Sequence, residues 1–290
     1  GMVAARVLDD AFDRVTVLDR DPLPDEPAAR AGVPQSRQPH VLLEAGRATL
    51  EDLFGGYGED LVDAGGLMLD WTTDLTYYQR GGVLASGPQP KVLYSASRPL
   101  FEHAIRRRLA ARGGVELREE TQFVEYLADD VVGVEVRAGG GTEAIPADLV
   151  VDASGRTSAT PSWLDSHGYD APRVEDLTVD VAYSTAVVER PPDDRRTYFV
   201  PPSPRQPRGG GVFPVEGDRW LVTLQGVHGD DPPTDVDALS EYARSLPVDA
   251  LAEILADRRV LGDVAHYPFP SNRRRRYEDL DSFPDGLVVV

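Results

Sequence analysis

Two carboxylates in this chain stand where a bound ligand could use them, because each closes a β-branched run. Asp19 ends Arg14-Val-Thr-Val-Leu-Asp19, and Asp152 ends Ala147-Asp-Leu-Val-Val-Asp152. Open α/β sheets bind ligands at the carboxyl ends of their strands, where loops and helix N-termini gather. Gly1 opens a helix whose apolar positions, Met2, Ala5, Val7, Leu8 and Phe12, can pack on a sheet. In outline this is the second half of a dinucleotide-binding βαβ unit. A glycine at the helix N-terminus admits a pyrophosphate, and an acid about 20 residues on accepts hydrogen bonds from a ribose. An ordinary helix and core strand share that outline, and Asp152 reads equally well as a helix cap.

Two arginines add to the pattern. Arg98 follows Ser97, a good N-cap, and precedes Pro99, which a first helical turn accepts. The helix dipole disfavours a cation there, so an arginine at that point suggests an anion nearby. Arg37 lies in Gly32-Val-Pro-Gln-Ser-Arg37-Gln-Pro-His40, where Pro34 and Pro39 favour an extended loop. It could reach a phosphate or a ring edge, or it could be a solvated loop residue. Arg106, Arg107 and Arg108 fall mid-helix and are expected to face solvent.

The elements that must position these groups alternate in character. Helical spacing is expected within 41–53 and 57–70 and after Ser97, where Leu100, Phe101, Ala104, Ile105 and Leu109 form one stripe ended by Gly113-Gly114. Short strands follow from Val115, with turns at Asp129-Asp130 and Gly139-Gly140-Gly141. After Pro172 the chain becomes β-rich: a long alternating strand over 177–189, a hairpin over 211–225, and two helices from Asp235 and Asp249, the first capped by Thr234. Pro268 and Pro270 are expected to break the strand that begins at Val260. Arg273 to Arg276, followed by Glu278, Asp279 and Asp281, reads as a solvated, salt-bridged run. Leu287 to Val290 is a further strand. Tyr77, Tyr78, Phe199, Phe213 and Trp220 could line a pocket, although ordinary core packing is the more common role for each.

Composition removes most other chemistries. There is no cysteine, hence no disulfide, thiol nucleophile or thiolate metal site. The five histidines are scattered, never at metal spacing, and neither G-x-S-x-G nor a phosphate loop occurs. Lys91 is the only lysine. A formal charge of −19 argues against nucleic acid or an anionic membrane as partner. No apolar run approaches a membrane span, and a cytoplasmic location fits. With neither protein nucleophile nor metal, the chemistry is expected to belong to an organic cofactor.

Four segments in order resemble the single-component FAD-dependent monooxygenases, the class A aromatic hydroxylase and squalene-epoxidase-like group, near the geranylgeranyl-reductase-like flavoproteins. They are Gly1 with Val-Thr-Val-Leu-Asp19-Arg20, then Gly32 to His40, then Ser97-Arg98-Pro99-Leu100, then Asp152-Ala-Ser-Gly155-Arg156-Thr-Ser158. Phe283-Pro-Asp-Gly-Leu-Val-Val-Val290 is similar to the strand that enters this family's G-D motif.

The resemblance implies an α/β fold: a Rossmann-type FAD-binding domain over 1–172, a β-rich α+β substrate domain over 173–270, and a return strand within 271–290. It implies that Gly1 faces the FAD pyrophosphate and that Asp19, beside Arg20, holds the adenosine ribose where the family usually has Glu. Arg37 and Arg98 would lie along the ribityl-phosphate chain, and the backbone of Val124 would pair with adenine. Asp152, Gly155 and Arg156 would match a motif tied to pyrophosphate and reduced-nicotinamide handling. The leading strand with its glycines and the G-D segment have no counterpart here, so the FAD-binding half is expected to be incomplete, truncated at both ends.

The implied activity is an NAD(P)H-dependent monooxygenase that hydroxylates or epoxidises an apolar or aromatic small molecule through a flavin C4a-hydroperoxide. An FAD-dependent reductase of prenyl double bonds and a non-catalytic remnant acting as a binding module are the alternatives.

Overall fold

The computed structural model of the chain describes residues 1–87, 92–127 and 131–290; the expected Asp129-Asp130 turn and Lys91 lie outside these residues. The first part of the chain supplies parallel pairing. Val15–Leu18 lies parallel to Val115–Arg118, with Val15 opposite Val115. Parallel strands need a crossover, and the helix Arg98–Ala110 lies between them in sequence. Its stripe of Leu100, Phe101, Ala104 and Leu109 packs with Ala5, Tyr57 and Leu61 into one buried cluster. A second parallel pair joins Val150–Asp152 to Leu287–Val289. Leu18 and Val150 pack against one cluster built around Tyr126, Val136 and Leu287, so the two pairs share that core.

The strands Gln122–Tyr126, Gly133–Ala138 and Gly141–Pro146 form an antiparallel meander. Gly139 and Gly140 both take positive φ, +56° and +84°, so this tight hairpin uses the backbone that only glycine adopts freely.

The β-rich part is a seven-stranded sheet in the order Ala265–Arg276, Arg173–Glu189, Arg219–Val227, Arg208–Val215, Thr197–Val200, Leu75–Gln79, Gly82–Val83. Two of its strands therefore come from far upstream, and Leu75–Gln79 enters parallel to Thr197–Val200. The helices Val236–Ala243 and Ala250–Asp257 cover one face. Trp220, Val222, Leu224 and Val212 bury there against Leu239 and Leu251.

Three expectations fail for identifiable reasons. Pro268 and Pro270 do not end their strand, which runs from Ala265 to Arg276. That strand is at the edge of the sheet, where a missing N–H need not cost a ladder bond. The helix N-cap is Asp235, whose carboxylate accepts from the Ala238 N–H at 2.9 Å, rather than Thr234. Arg106 is buried, not solvent-facing, because it lies beside Glu102 on the inward side of its helix. Among the described residues no helix is long and apolar enough to cross a membrane.

Candidate functional site

The carboxyl ends of the two parallel pairs bring Gly1, Asp19 and the loop after Asp152 together. Gly1 is the N-cap of the seven-residue helix Met2–Leu8, and a Cβ on it would lie 3.6 Å from the Ala153 Cβ. Asp19 follows the Val15–Leu18 strand. Its Oδ1 accepts from the Asp21 N–H at 3.0 Å and its Oδ2 from Arg30 Nη1 at 2.9 Å. Arg20, adjacent, is exposed.

Arg30 and its partners escaped sequence reasoning. Its Nε and Nη2 donate to Glu102 Oε1 at 2.9 and 2.7 Å, and Nη1 lies 3.3 Å from Asp21 Oδ2. Asp21 also accepts from the Gly32 N–H at 2.6 Å, an approach that a side chain on Gly32 would obstruct. Arg106 Nη1 stands 3.6 Å from Glu102. Charged residues inside the helix's apolar stripe were the available signal for Glu102 and Arg106; a lone arginine in an alanine-rich loop gave none for Arg30.

Arg98 occupies the first turn of its helix, with Ser97 Oγ accepting from the Leu100 N–H at 3.2 Å. The Arg98 Nε is buried and has no hydrogen-bond partner. A buried donor without a partner is costly, and a bound anion removes that cost. The Arg98 charge reaches His40, whose pKa is lowered by burial and by Arg98 against the pull of the Gln38 carbonyl. His40 Nδ1 lies 2.9 Å from that carbonyl. A carbonyl only accepts, so Nδ1 carries the proton and Nε2 is free to accept.

Arg37 ends the 3-10 turn Pro34–Arg37 and is exposed, so its guanidinium is free to move toward a ligand. Its neighbour Gln38 is buried, and fixes the loop to the large sheet. Gln38 Nε2 donates to the Ala265 carbonyl at 3.1 Å, and its Oε1 accepts from Thr185 Oγ1. No pattern in the sequence marked Gln38.

Asp152 is turned into its own loop. Its carboxylate accepts from the Ser154 N–H at 2.8 Å and from the hydroxyls of Ser154, Ser158 and Thr160. Burial alone pushes its pKa up, but these hydrogen bonds outweigh it and hold the carboxyl below its ordinary value. Gly155 follows with φ +68°, a conformation that side chains resist. Arg156 turns to the edge strand of the large sheet, donating to the Ser271 carbonyl and hydroxyl, each at 2.7 Å. Arg275 returns the contact with donations to the carbonyls of Gly155, at 3.2 Å, and Arg156, at 2.8 Å. Its neighbours Arg273 and Arg276 pair with Asp176 and Glu175, as a salt-bridged run should. Asp152 and Arg156 thus shape and anchor a loop, and neither has its charged group turned freely outward.

Val124 lies on the edge strand of the meander, at the register shift between Phe123 and Glu125, and faces no partner residue. A bulge of this kind takes a residue's backbone out of the ladder.

The sheet face away from the two helices carries Tyr77, Phe199 and Phe213 in a row. Ring centroids are 5.4 Å apart for Tyr77 and Phe199 and 6.4 Å for Phe199 and Phe213, and all three are half-buried. Tyr78 and Trp220 point the other way and pack with the helix-covered core. Among the described residues no group of His, Asp and Glu is placed to hold a metal.

A parallel α/β part with acids at its strand ends, joined to a large, mostly antiparallel sheet roofed by two helices, is the fold of the FAD-dependent monooxygenases and the flavin-dependent halogenases. The flavin-dependent brominase Bmp2 shares it over the whole of this chain and 68% of its own, at TM-score 0.70 and 17% identity. So does PqsL, a probable FAD-dependent monooxygenase from Pseudomonas aeruginosa, over the whole of this chain and 74% of its own, at TM-score 0.68 and 16% identity. In sequence, the chain is 36% identical over 305 residues to protein Rv3254 of Mycobacterium tuberculosis, covering 99% of this chain. The chain spans 64% of the length of that relative. No family model matches the sequence.

Proposed function

We propose that this chain belongs to an FAD-dependent oxidoreductase, a monooxygenase that takes reducing equivalents from NAD(P)H. The observation that carries the reading is Arg98: a guanidinium Nε buried without a partner, at a helix N-terminus, within the electrostatic reach of His40. It suits a diphosphate or ribityl chain. The remaining residues fit the same ligand. Asp19 offers an acceptor at a strand end for a ribose, and Gly1 leaves room for a pyrophosphate. Val124 offers a backbone outside its ladder, and the Asp152–Arg156 loop, whose Ala153 neighbours Gly1, lies beside the helix start. Arg20 and Arg37 are exposed cations on the same part of the chain.

The bound flavin supplies the redox chemistry. The protein's own part is to bind, orient and keep water away. Residues 1–172 with the strand inside 271–290 hold the cofactor, and 173–270, joined in one sheet by the upstream strands Leu75–Gln79 and Gly82–Val83, carry the face toward the substrate. The row of Tyr77, Phe199 and Phe213 supports an apolar or aromatic small molecule as substrate, since half-buried rings gain by covering one. His40 Nε2, neutral and beside Arg98, can accept a proton from a ligand hydroxyl or ring nitrogen. The reading includes a cytoplasmic location.

The test is the visible spectrum of the purified full-length protein. Flavin bands that vanish in Arg98→Ala and Asp19→Ala variants, with oxygen-dependent NAD(P)H oxidation in the parent, support it. A folded protein that takes up no added FAD overturns it, and a product that forms equally well without oxygen replaces the monooxygenase by a reductase.

A further inference from the structure

Arg30 belongs to no helix or strand, yet its side chain is only 10% exposed and ties the end of the first strand to Glu102, 72 residues further along the chain than Arg30 itself. One edge of the guanidinium faces Glu102, itself 9% exposed, on the buried side of the Arg98–Ala110 helix. The other edge meets Asp19 at 2.9 Å and Asp21 at 3.3 Å at the end of the first strand. Arg106 adds a second cation beside Glu102 and also touches His103 Nδ1 at 3.2 Å. A guanidinium only donates, so this His103 nitrogen accepts and the ring is neutral.

Three carboxylates against two guanidiniums leave one negative charge. Asp21 and Glu102 are about as buried as Arg30, whereas the Asp19 side chain is 30% exposed, so the residual charge emerges at Asp19. The Asp19 carboxylate accepts one bond on each oxygen, from Arg30 and from the Asp21 N–H. That fixes its rotamer and leaves about half of its four acceptor sites free. Buried ion pairs of this kind contribute little to stability compared with apolar packing, because desolvation offsets the attraction. What the arrangement does accomplish is orientation.

We propose that Arg30, seated on Glu102, is a positioning residue for Asp19. It holds that carboxylate in a single rotamer, so that its free lone pairs accept the vicinal hydroxyls of a nucleoside ribose. This rests on the flavin-dinucleotide reading above and extends it to two residues that need not touch the ligand themselves.

The experiment is an FAD-binding titration on the full-length protein, followed by flavin fluorescence, in four forms: wild type, Asp19→Asn, Arg30→Met with Glu102→Gln, and all three changes together. The Arg30–Glu102 pair is removed as a unit so that neither of the two is left facing the other's vacancy, while Asp21 keeps the Gly32 N–H and Arg106 keeps the Pro24 carbonyl. The paired change is expected to weaken FAD by about ten- to a hundredfold, close to the effect of Asp19→Asn. The triple variant is expected to be no weaker than Asp19→Asn alone, because the pair acts through Asp19. Arg30→Lys, which keeps a cation but cannot fork between Asp19 and Glu102, serves if the paired variant does not fold, with a loss of about tenfold expected. FAD affinity within about twofold of wild type in either variant overturns the inference, as does a triple variant whose losses simply add. Wild-type protein that binds no FAD defeats the flavin reading and the inference together; wild type that binds it while the variants are unchanged defeats the inference alone.

Discussion

The side chain of Gln38 joins a loop of the α/β part to the large sheet: its amide nitrogen donates to the Ala265 carbonyl at 3.1 Å while its oxygen accepts from Thr185. Thr185 also lies 2.9 Å from the Thr223 hydroxyl, so the amide completes a buried polar chain across two neighbouring strands. The same residue's backbone carbonyl holds His40 in one tautomer. Gln38→Ala leaves the Ala265 carbonyl and one Thr185 bond unmade in a dry site. It is expected to lower unfolding stability by about 1–3 kcal/mol, read as a reduced midpoint in urea with unchanged slope.

Arg98 is expected to behave in the opposite way. Its Nε has no partner in the protein, so Arg98→Met removes a buried, unsatisfied donor rather than a bond. The thermal midpoint of the flavin-free protein is expected to stay level or rise, while FAD affinity falls by about ten- to a hundredfold. Calorimetry of the flavin-free form and a flavin titration separate the two effects. A protein that unfolds early without flavin loss would assign Arg98 to the fold instead.

The two faces of the seven-stranded sheet give a matched pair. Trp220 is fully buried under the helices, and Trp220→Ala is expected to cost about 3–5 kcal/mol. Phe213 is half-buried on the other face, and Phe213→Ala is expected to cost about 1 kcal/mol while weakening binding of an aromatic ligand. Chemical unfolding of both variants, with a tryptophan-independent probe such as far-UV dichroism, checks the ranking.

Acid is expected to weaken the fold in two stages. His103 and His40 both have lowered pKa values. For His103 burial leads, then the charges of Arg106 and Arg107, with Glu26 and Asp25 opposing; for His40 burial leads, with Arg98 adding. The folded state therefore prefers the neutral rings. Their contribution is complete above the unfolded value of about 6.5 and is lost as pH falls from there through the lower folded values. Asp152, also lowered, contributes fully above the unfolded carboxyl value of about 3.9 and loses that contribution as pH falls through its folded value. Unfolding midpoints measured from pH 8 to 3 are expected to show both declines, and replacing His103 with Gln is expected to flatten the first.

Much of this molecule is decided locally. The alternation of Val134 and Val136, the Gly139-Gly140 turn and the Ser97 cap depend on neighbours in the chain, and the structure contains each of them. Asp19 and Asp152 end their strands for the same reason, since β-branched runs close where a polar residue and a glycine-containing or proline-containing loop begin. What those carboxylates touch is another matter. Asp152 turns inward to Ser154, Ser158 and Thr160, and Arg156 is spent on Ser271, 115 residues away. The prolines 268 and 270 remain in a strand because that strand falls on a sheet edge, which only the completed order of seven strands determines. Arg30 finds Glu102 across 72 residues, and Gln38 finds Ala265 across 227. Periodicity and caps are properties of backbone geometry and nearest neighbours, so the sequence alone determined them. The pairing of buried charges and amides was left to tertiary packing, because a polar group taken out of water bonds to whatever the fold places beside it.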